Sequence, residues 1–201
     1  MAKIKFTKNE LKNQRDALAR YRRFLPTLQL KKQSLQNEVR NLRRIMEEKE
    51  KEERGALERM DSWVRLFSED FDFTPFVRPE RVETGRGNIV GVRIPLLKEV
   101  RFPEAHPDYR ETPAWVDEGV RTLRHLITLR LERMTLERQY ELLNEELTTT
   151  TQRVNLFEKV KIPECLENIR RINIFLGDEQ TAAVARSKIA KAKMRERETA
   201  S

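Results

Sequence analysis

Two histidines, one cysteine and a few short polar clusters are the residues of this chain whose types could support chemistry. His106 and His125 have no Cys or second His at ligand spacing, so they do not read as a metal centre. Cys165 has no second cysteine to pair with, which rules out an internal disulfide and fits a reducing compartment. Gly85-Arg86-Gly87 lacks the Lys-Ser/Thr of a phosphate loop and does not open a helix, so it reads as a turn. Glu69-Asp70 and Asp72 lack calcium-loop spacing, and their alternation with Phe71 and Phe73 suggests a partner-facing edge or a minor core. Thr148 to Thr151 form a run inside a helical pattern. It marks either a flexible point or hydroxyls that bond back to helix carbonyls, and the second reading is favoured. No nucleophile stands beside a base. The chain reads as non-catalytic, with no cofactor and no metal.

The basic tail Arg186, Lys188, Lys191, Lys193, Arg195 and Arg197 is the strongest functional candidate on charge alone. Nucleic-acid binding would produce such a run. Glu196 and Glu198 interrupt it, however, and no base-stacking aromatic is interleaved. A solvated helix end or an acidic protein partner fits at least as well.

The elements that would position these residues are long helices. Leu11, Gln14, Leu18, Tyr21, Leu25, Leu28, Lys32, Leu35, Val39, Leu42 and Met46 follow at alternating steps of three and four. The same phase passes through Lys49 and Glu53 to Ala56, Met60, Trp63 and Phe67. An apolar repeat of this period specifies a helix whose narrow seam meets another helix. A second tract runs from about Trp115 to Leu176 through Val116, Val120, Leu123, Ile127, Met134, Tyr140, Leu143, Leu147, Val154, Phe157, Ile169 and Ile172. Its phase slips near Leu131 to Leu136, as a stutter would produce. The natural partner of the first tract is therefore in the same chain. The expected fold is mainly α: a long antiparallel two-helix coiled coil from the terminal segments, with a small central insert containing a short β-hairpin. Its expected parts are an N-terminal coiled-coil helix over 1–76, the insert over 77–113, and a C-terminal coiled-coil helix with a basic tail over 114–201.

Composition agrees. Charged residues make up 37% of the 201 residues and aromatics 7%, which suits solvated helices that bury a stripe better than a compact core. No run of about 18 apolar residues would cross a membrane, and Met1 to Phe6 lacks the apolar stretch of a signal peptide. The chain reads as cytoplasmic, reaching any membrane complex through other subunits. The net charge of +8 is uneven: residues 1–46 carry 13 Lys/Arg against 3 Asp/Glu, 47–83 carry 7 against 12, and 159–201 carry 10 against 6. If the tracts fold back on each other, both basic segments fall toward one end. Such polarity orients a molecule between unlike partners.

Local signals set the expected boundaries. Thr7-Lys8-Asn9-Glu10 reads as a capping box. Pro26 removes a backbone bond and crowds the Arg22 carbonyl, so a kink or short break is expected within one continuing helix. The charged run Glu47 to Arg54 reads as solvated surface without tight pairing. Gly85 to Asn88 reads as a hairpin turn between Arg81-Val82-Glu83 and Ile89 to Ile94, with continuation at Val100-Arg101-Phe102 left open. Thr112 and Pro113 read as the cap and first position of the second helix. Pro163 interrupts that helix, and Gly177 reads as a C-cap or as a break before a last helix.

The second tract also carries a family signature. Arg153-Val154-Asn155, Glu158, Ile162-Pro163, Leu166-Glu167 and Ile169-Arg170 resemble the C-terminal block of the D subunit of V-type and archaeal-type ATPases. Thr7 to Leu11, with Leu28 and Leu30-Lys31-Lys32, resembles the family's opening. The chain departs from the pattern at Leu176 to Ala183 and at Pro26, which suggests a divergent bacterial branch. The resemblance implies a central rotor shaft that couples ATP synthesis or hydrolysis in a catalytic head to proton or sodium transport through a membrane ring. It implies as partners the catalytic and regulatory nucleotide-binding subunits, the small F subunit of the stalk and a membrane-ring docking subunit, with no membrane insertion and no nucleic acid. On that footing Lys8, Lys12, Arg15, Lys188, Lys191 and Lys193 are the expected ring contacts, and Trp63, Phe67, Phe71, Arg86 and Arg93 the expected stalk-partner contacts. The alternatives are a coiled-coil scaffold unrelated to any ATPase and a basic nucleic-acid-binding protein.

Overall fold

The heptad stripe marks the covered side of the first helix. The computed structural model describes residues 4–61, 71–104, 112–113 and 115–199, and helix α1 spans Lys8–Asp61. All fifteen stripe positions from Leu11 to Met60 are buried or half-buried, including Lys32, Lys49 and Glu53. Charged side chains at such positions cover the seam with their alkyl stems and keep their heads wet. The helix passes through Pro26 without a break, consistent with the phase that survives across it. Its start is half of the expected capping box. The Glu10 amide donates to Thr7 Oγ1 (3.2 Å). The Glu10 carboxylate instead accepts from Gln14 Nε2 (2.8 Å).

After α1 come a short helix α2 (Thr74–Val77), strands β1 (Arg81–Ile89) and β2 (Val92–Arg101), helix α3 (Val116–Asn155), a π-helical turn (Leu156–Lys161) and helix α4 (Ile162–Thr199). The chain divides into two compact units, one joining Met1–Leu30 to Thr150–Ser201, the other Lys31–Thr149.

In the first unit the two segments pair antiparallel. Phe6 meets Phe175 with ring centroids 5.1 Å apart. Asn168 Nδ2 reaches Gln14 Oε1 at 3.4 Å, and Tyr21 meets Phe157 at 4.9 Å. Each step forward along α1 is a step back along its partner. The partner's seam is Thr150, Val154, Phe157, Lys161, Cys165, Asn168 and Ile172, all buried or half-buried. Its steps alternate between four and three up to Lys161, and then a second four follows. The π turn supplies the surplus residue: the Ile162 amide donates to the Phe157 carbonyl, five residues back. Pro163 therefore does not interrupt the helix as a break. It follows a widened turn, which spaces its ring from the carbonyls that an α-turn would press against it. Gly177 likewise neither caps nor breaks α4, which runs on to Thr199, and its carbonyl accepts the Thr181 hydroxyl (3.0 Å).

In the second unit Leu35, Val39 and Leu42 of α1, Leu143 of α3 and Ile94 of β2 form one buried cluster. Ile89, Val90, Val92, Leu136, Tyr140 and Leu147 pack around it. Leu35 and Leu143 are fully buried, and burial at each is worth about 1.5–3 kcal/mol. Met134, expected in the seam, is exposed, whereas Leu129 is buried in its stead. The stutter displaces the phase further than the stripe suggests.

The run Glu47 to Arg54 is not free of pairing. Lys49 Nζ lies 3.0 Å from Glu132 and 2.9 Å from Glu52. Glu53 lies 3.2 Å from Arg133 Nε and 3.8 Å from Arg130 Nη1. The seam thus continues as an ionic layer before closing again on Ala56, 2% exposed. The partners lie some eighty positions later in the chain, which is why the run looks solvated when read alone.

The hairpin turn sits at Val90-Gly91 rather than at Gly85 to Asn88. Val90 (φ 51°) and Gly91 (φ 83°) both lie in the left-handed region, as a two-residue hairpin loop with the right twist requires. Asn88 Oδ1 accepts the Gly91 amide (2.9 Å). A β-branched residue adopts this φ only under strain. Val90 is held there by its packing against the cluster. Gly85 and Gly87 lie within β1, opposite Leu96 and Ile94, and a Cβ on Gly87 would meet Leu96 Cδ1 at 3.0 Å. β2 does continue through Val100 and Arg101. The second helix starts at Val116, three residues beyond the expected Pro113.

Candidate partner interface

Among the described residues the basic candidates of both termini share one unit. Lys8, Lys12 and Arg15 are exposed on α1, and Lys188, Lys191 and Lys193 are exposed on α4. That unit carries 19 Lys/Arg against 9 Asp/Glu, a net +10, whereas the second carries 22 against 24, a net −2. Apolar exposure follows charge. Fifteen large apolar side chains are exposed among the described residues, and eleven of them are in the first unit, including Phe24, Leu30, Val160, Ile174, Val184 and Ile189. From Gly177 to Arg195 all side chains but Ala182 are exposed. A surface both basic and apolar on this scale is a candidate for cover by a partner. The sequence displays the charges and conceals the apolar half, because residues off the stripe look like ordinary surface one at a time.

The stalk-partner candidates separate. Trp63 and Phe67 lie outside the described residues. Phe71 joins a ring cluster, 4.8 Å from Phe73 and 5.8 Å from Phe76, and Phe73 lies 5.9 Å from Trp115. Arg124 of α3 fastens this region: its guanidinium donates to the carbonyls of Phe76 (2.9 Å) and Pro103 (2.8 Å) and lies 5.6 Å from the Phe102 ring centroid. Asp72 accepts the Thr74 amide (2.9 Å), and the Thr74 hydroxyl and amide together hold its carboxyl below the ordinary range. Its contact is a local turn cap. Arg86 and Arg93 are exposed on one face of the hairpin, since Asn88 opposes Arg93 and Arg86 opposes Pro95.

The signature residues flank the π turn, with Glu158 inside it. Val154 is buried in the seam and Ile162 half-buried, while Arg153, Asn155, Glu158 and Pro163 are exposed. Thr148 bonds back to the Asn144 carbonyl (2.9 Å), as favoured from sequence. Three buried polar seam residues are not foreseen by the apolar pattern: Gln139, whose amide donates to the Pro95 carbonyl (2.7 Å), Thr150 and Asn168. Their spacing from Leu143 and Val154 is the signal that would find them, but a stripe traced through apolar residues passes them by.

The family model for the ATP synthase D subunit matches residues 10–192. The chain belongs to the ATP synthase D-subunit family. Among its relatives, the V-type ATP synthase D subunit of Borreliella burgdorferi is 44% identical over 194 residues, covering 96% of each chain. The protein of that name from Chlamydia felis is 34% identical over 199 residues, covering 98% of this chain and 96% of its own. As a member of that family the chain is read neither as an unrelated scaffold nor as a nucleic-acid-binding protein. No helix among the described residues is long and apolar enough to cross a membrane.

Proposed function

We propose that this chain is the central-stalk shaft of a bacterial V-type rotary ATPase, with no reaction of its own. One observation carries the reading: both chain termini are gathered into a unit of net +10 that also holds eleven of the fifteen exposed large apolar side chains. Such a unit suits enclosure by the catalytic and regulatory nucleotide-binding subunits, with Lys8, Lys12, Arg15, Lys188, Lys191 and Lys193 facing acidic ring surfaces. The second unit, near neutral, offers Phe71, Arg86 and Arg93 to the small F subunit of the stalk and the membrane-ring docking subunit. A shaft presents different side chains to each of the surrounding catalytic sites. Unequal contact free energy biases each site between open and closed states, and a partner shifts such an equilibrium by no other means. The chain's contribution is then positional.

Reversing the charge at Lys8, Lys12, Arg15, Lys188, Lys191 and Lys193 together tests this in a reconstituted complex. Coupled ATP turnover falls while the complex still assembles. Unchanged turnover in an assembled complex carrying all six reversals argues against electrostatic engagement.

A further inference from the structure

The two outer edges of the hairpin are not equivalent. With a two-residue loop at Val90-Gly91, the closing pair Ile89 and Val92 exchanges both backbone bonds. Alternate pairs do the same, so the amides and carbonyls of Gly85, Gly87 and Ile89 point into the hairpin. Those of Thr84, Arg86 and Asn88 point out of its β1 edge. On β2 the outward positions are Arg93, Pro95 and Leu97. The β2 edge is closed there. Pro95 has no amide, its carbonyl accepts Gln139 Nε2 (2.7 Å), and a bulge leaves Lys98 without a partner on β1. The β1 edge has no such protection. It contains no proline, and outside the hairpin's own ladder no backbone bond joins Thr84, Arg86 or Asn88 to another described residue.

We propose that the β1 edge of the hairpin accepts an extended strand from a partner protein, an acidic segment of alternating apolar and carboxylate residues. Adding a strand satisfies the outward backbone groups, and alternate side chains confer specificity. The two faces that flank the edge set the required chemistry. One presents Arg86 and Arg93, both exposed, and calls for carboxylates. The other presents Ile89 and the 40%-exposed Leu96 and calls for apolar side chains. A second copy of this chain fits poorly, because antiparallel β1–β1 pairing centred on Arg86 sets two guanidinium groups opposite each other. The inference supplies an attachment mode for the hairpin contact in the stalk reading above, and it is tested separately from that reading.

The test follows amide hydrogen exchange in the full chain. The first probe is a synthetic peptide of alternating Glu and Val, about ten residues long to match the strand. The second is the complex obtained by co-expression with the other subunits. In the chain alone the Thr84, Arg86 and Asn88 amides exchange freely. With the peptide, and in the complex, they slow by about tenfold or more while Arg93 does not change. Arg86→Pro abolishes the effect, yet keeps Gly85, Gly87 and Ile89 protected, which shows that the hairpin is intact. Arg86→Glu weakens it. The proposal is overturned if the three amides are already protected in the chain alone, if the peptide leaves them exchanging, or if Arg86→Pro responds like the parent. A complex that assembles with the three amides still exchanging overturns it and leaves the stalk reading standing. If no complex assembles, the stalk reading falls and the peptide result still decides the edge.

Discussion

Glu53 of α1 and Arg133 of α3 stand 3.2 Å apart inside the helix seam, with only 18% and 22% of their side chains exposed. Lys49 and Glu132 repeat the arrangement one turn away at 3.0 Å. Glu52, then Glu132, hold the Lys49 ammonium above its ordinary range. Charges this far from water are costly singly and tolerable in pairs. Glu53→Ala should therefore destabilise the chain by about 1–3 kcal/mol, because half-buried Arg133 keeps only its longer contact to Glu137 (3.7 Å). Replacing both by Leu should cost less than either single change. Urea unfolding of the two single variants and the double variant measures this, and a double variant that costs as much as either single or more would refute it.

Ile94 is the residue through which β2 enters the cluster of Leu35, Val39, Leu42 and Leu143. Ile94→Ala should cost about 2–5 kcal/mol. Exchange at the hairpin amides should quicken before exchange in α4 does. Equal quickening in both would mean that the hairpin is not seated by this side chain.

Two glycine substitutions should have opposite signs. At Gly91 a Cβ meets nothing within 4 Å, yet φ is +83°. Gly91→Ala should destabilise by about 1–2 kcal/mol through backbone strain alone. At Gly55 there is also nothing within 4 Å, and the residue is helical. Gly55→Ala should stabilise by about 0.5–1 kcal/mol. Thermal melts of the two variants should move apart, and a common direction would contradict the backbone assignment.

The contrast bears on what a sequence can reveal. A stripe such as Leu11 to Met60 is legible because a 3.5-residue period is a property of neighbours. The hairpin is legible as an element, but Gly85, Gly87 and Asn88 all offer turns. Only the packing of Val90 against the buried cluster selects the later position, and that packing is tertiary. Gly177 and Pro163 fail as stop signals because helix ends depend on what covers them. Glu53 looks solvated because its partners come from α3. The interface is half legible: Lys8 and Lys188 advertise themselves by charge, whereas Phe24 and Ile174 become informative only once they are seen uncovered.

Cys165 is buried at 5% exposure, and that burial pushes its thiol above the ordinary range. The sign follows from linkage. Below the unfolded thiol's pKa both states are protonated and the preference is fully present. As pH rises through the folded value the unfolded chain ionises first and stability is lost. Stability should thus fall in the alkaline range in the parent, and fall less in Cys165→Ala. Iodoacetamide at neutral pH should label the folded chain far more slowly than the urea-unfolded chain. Equal labelling rates would show that the thiol is accessible.

The widened turn at Leu156–Lys161 has a genetic corollary. A codon deleted there would restore ordinary helical spacing and keep hydrophobic residues in phase on both sides. It would also drive the Pro163 ring against a carbonyl one turn earlier. A codon deleted together with Pro163→Ala should be tolerated, and either change alone should not be neutral. On that outcome the proline and the extra residue behave as one inherited character, and lineages that lose one should have lost the other.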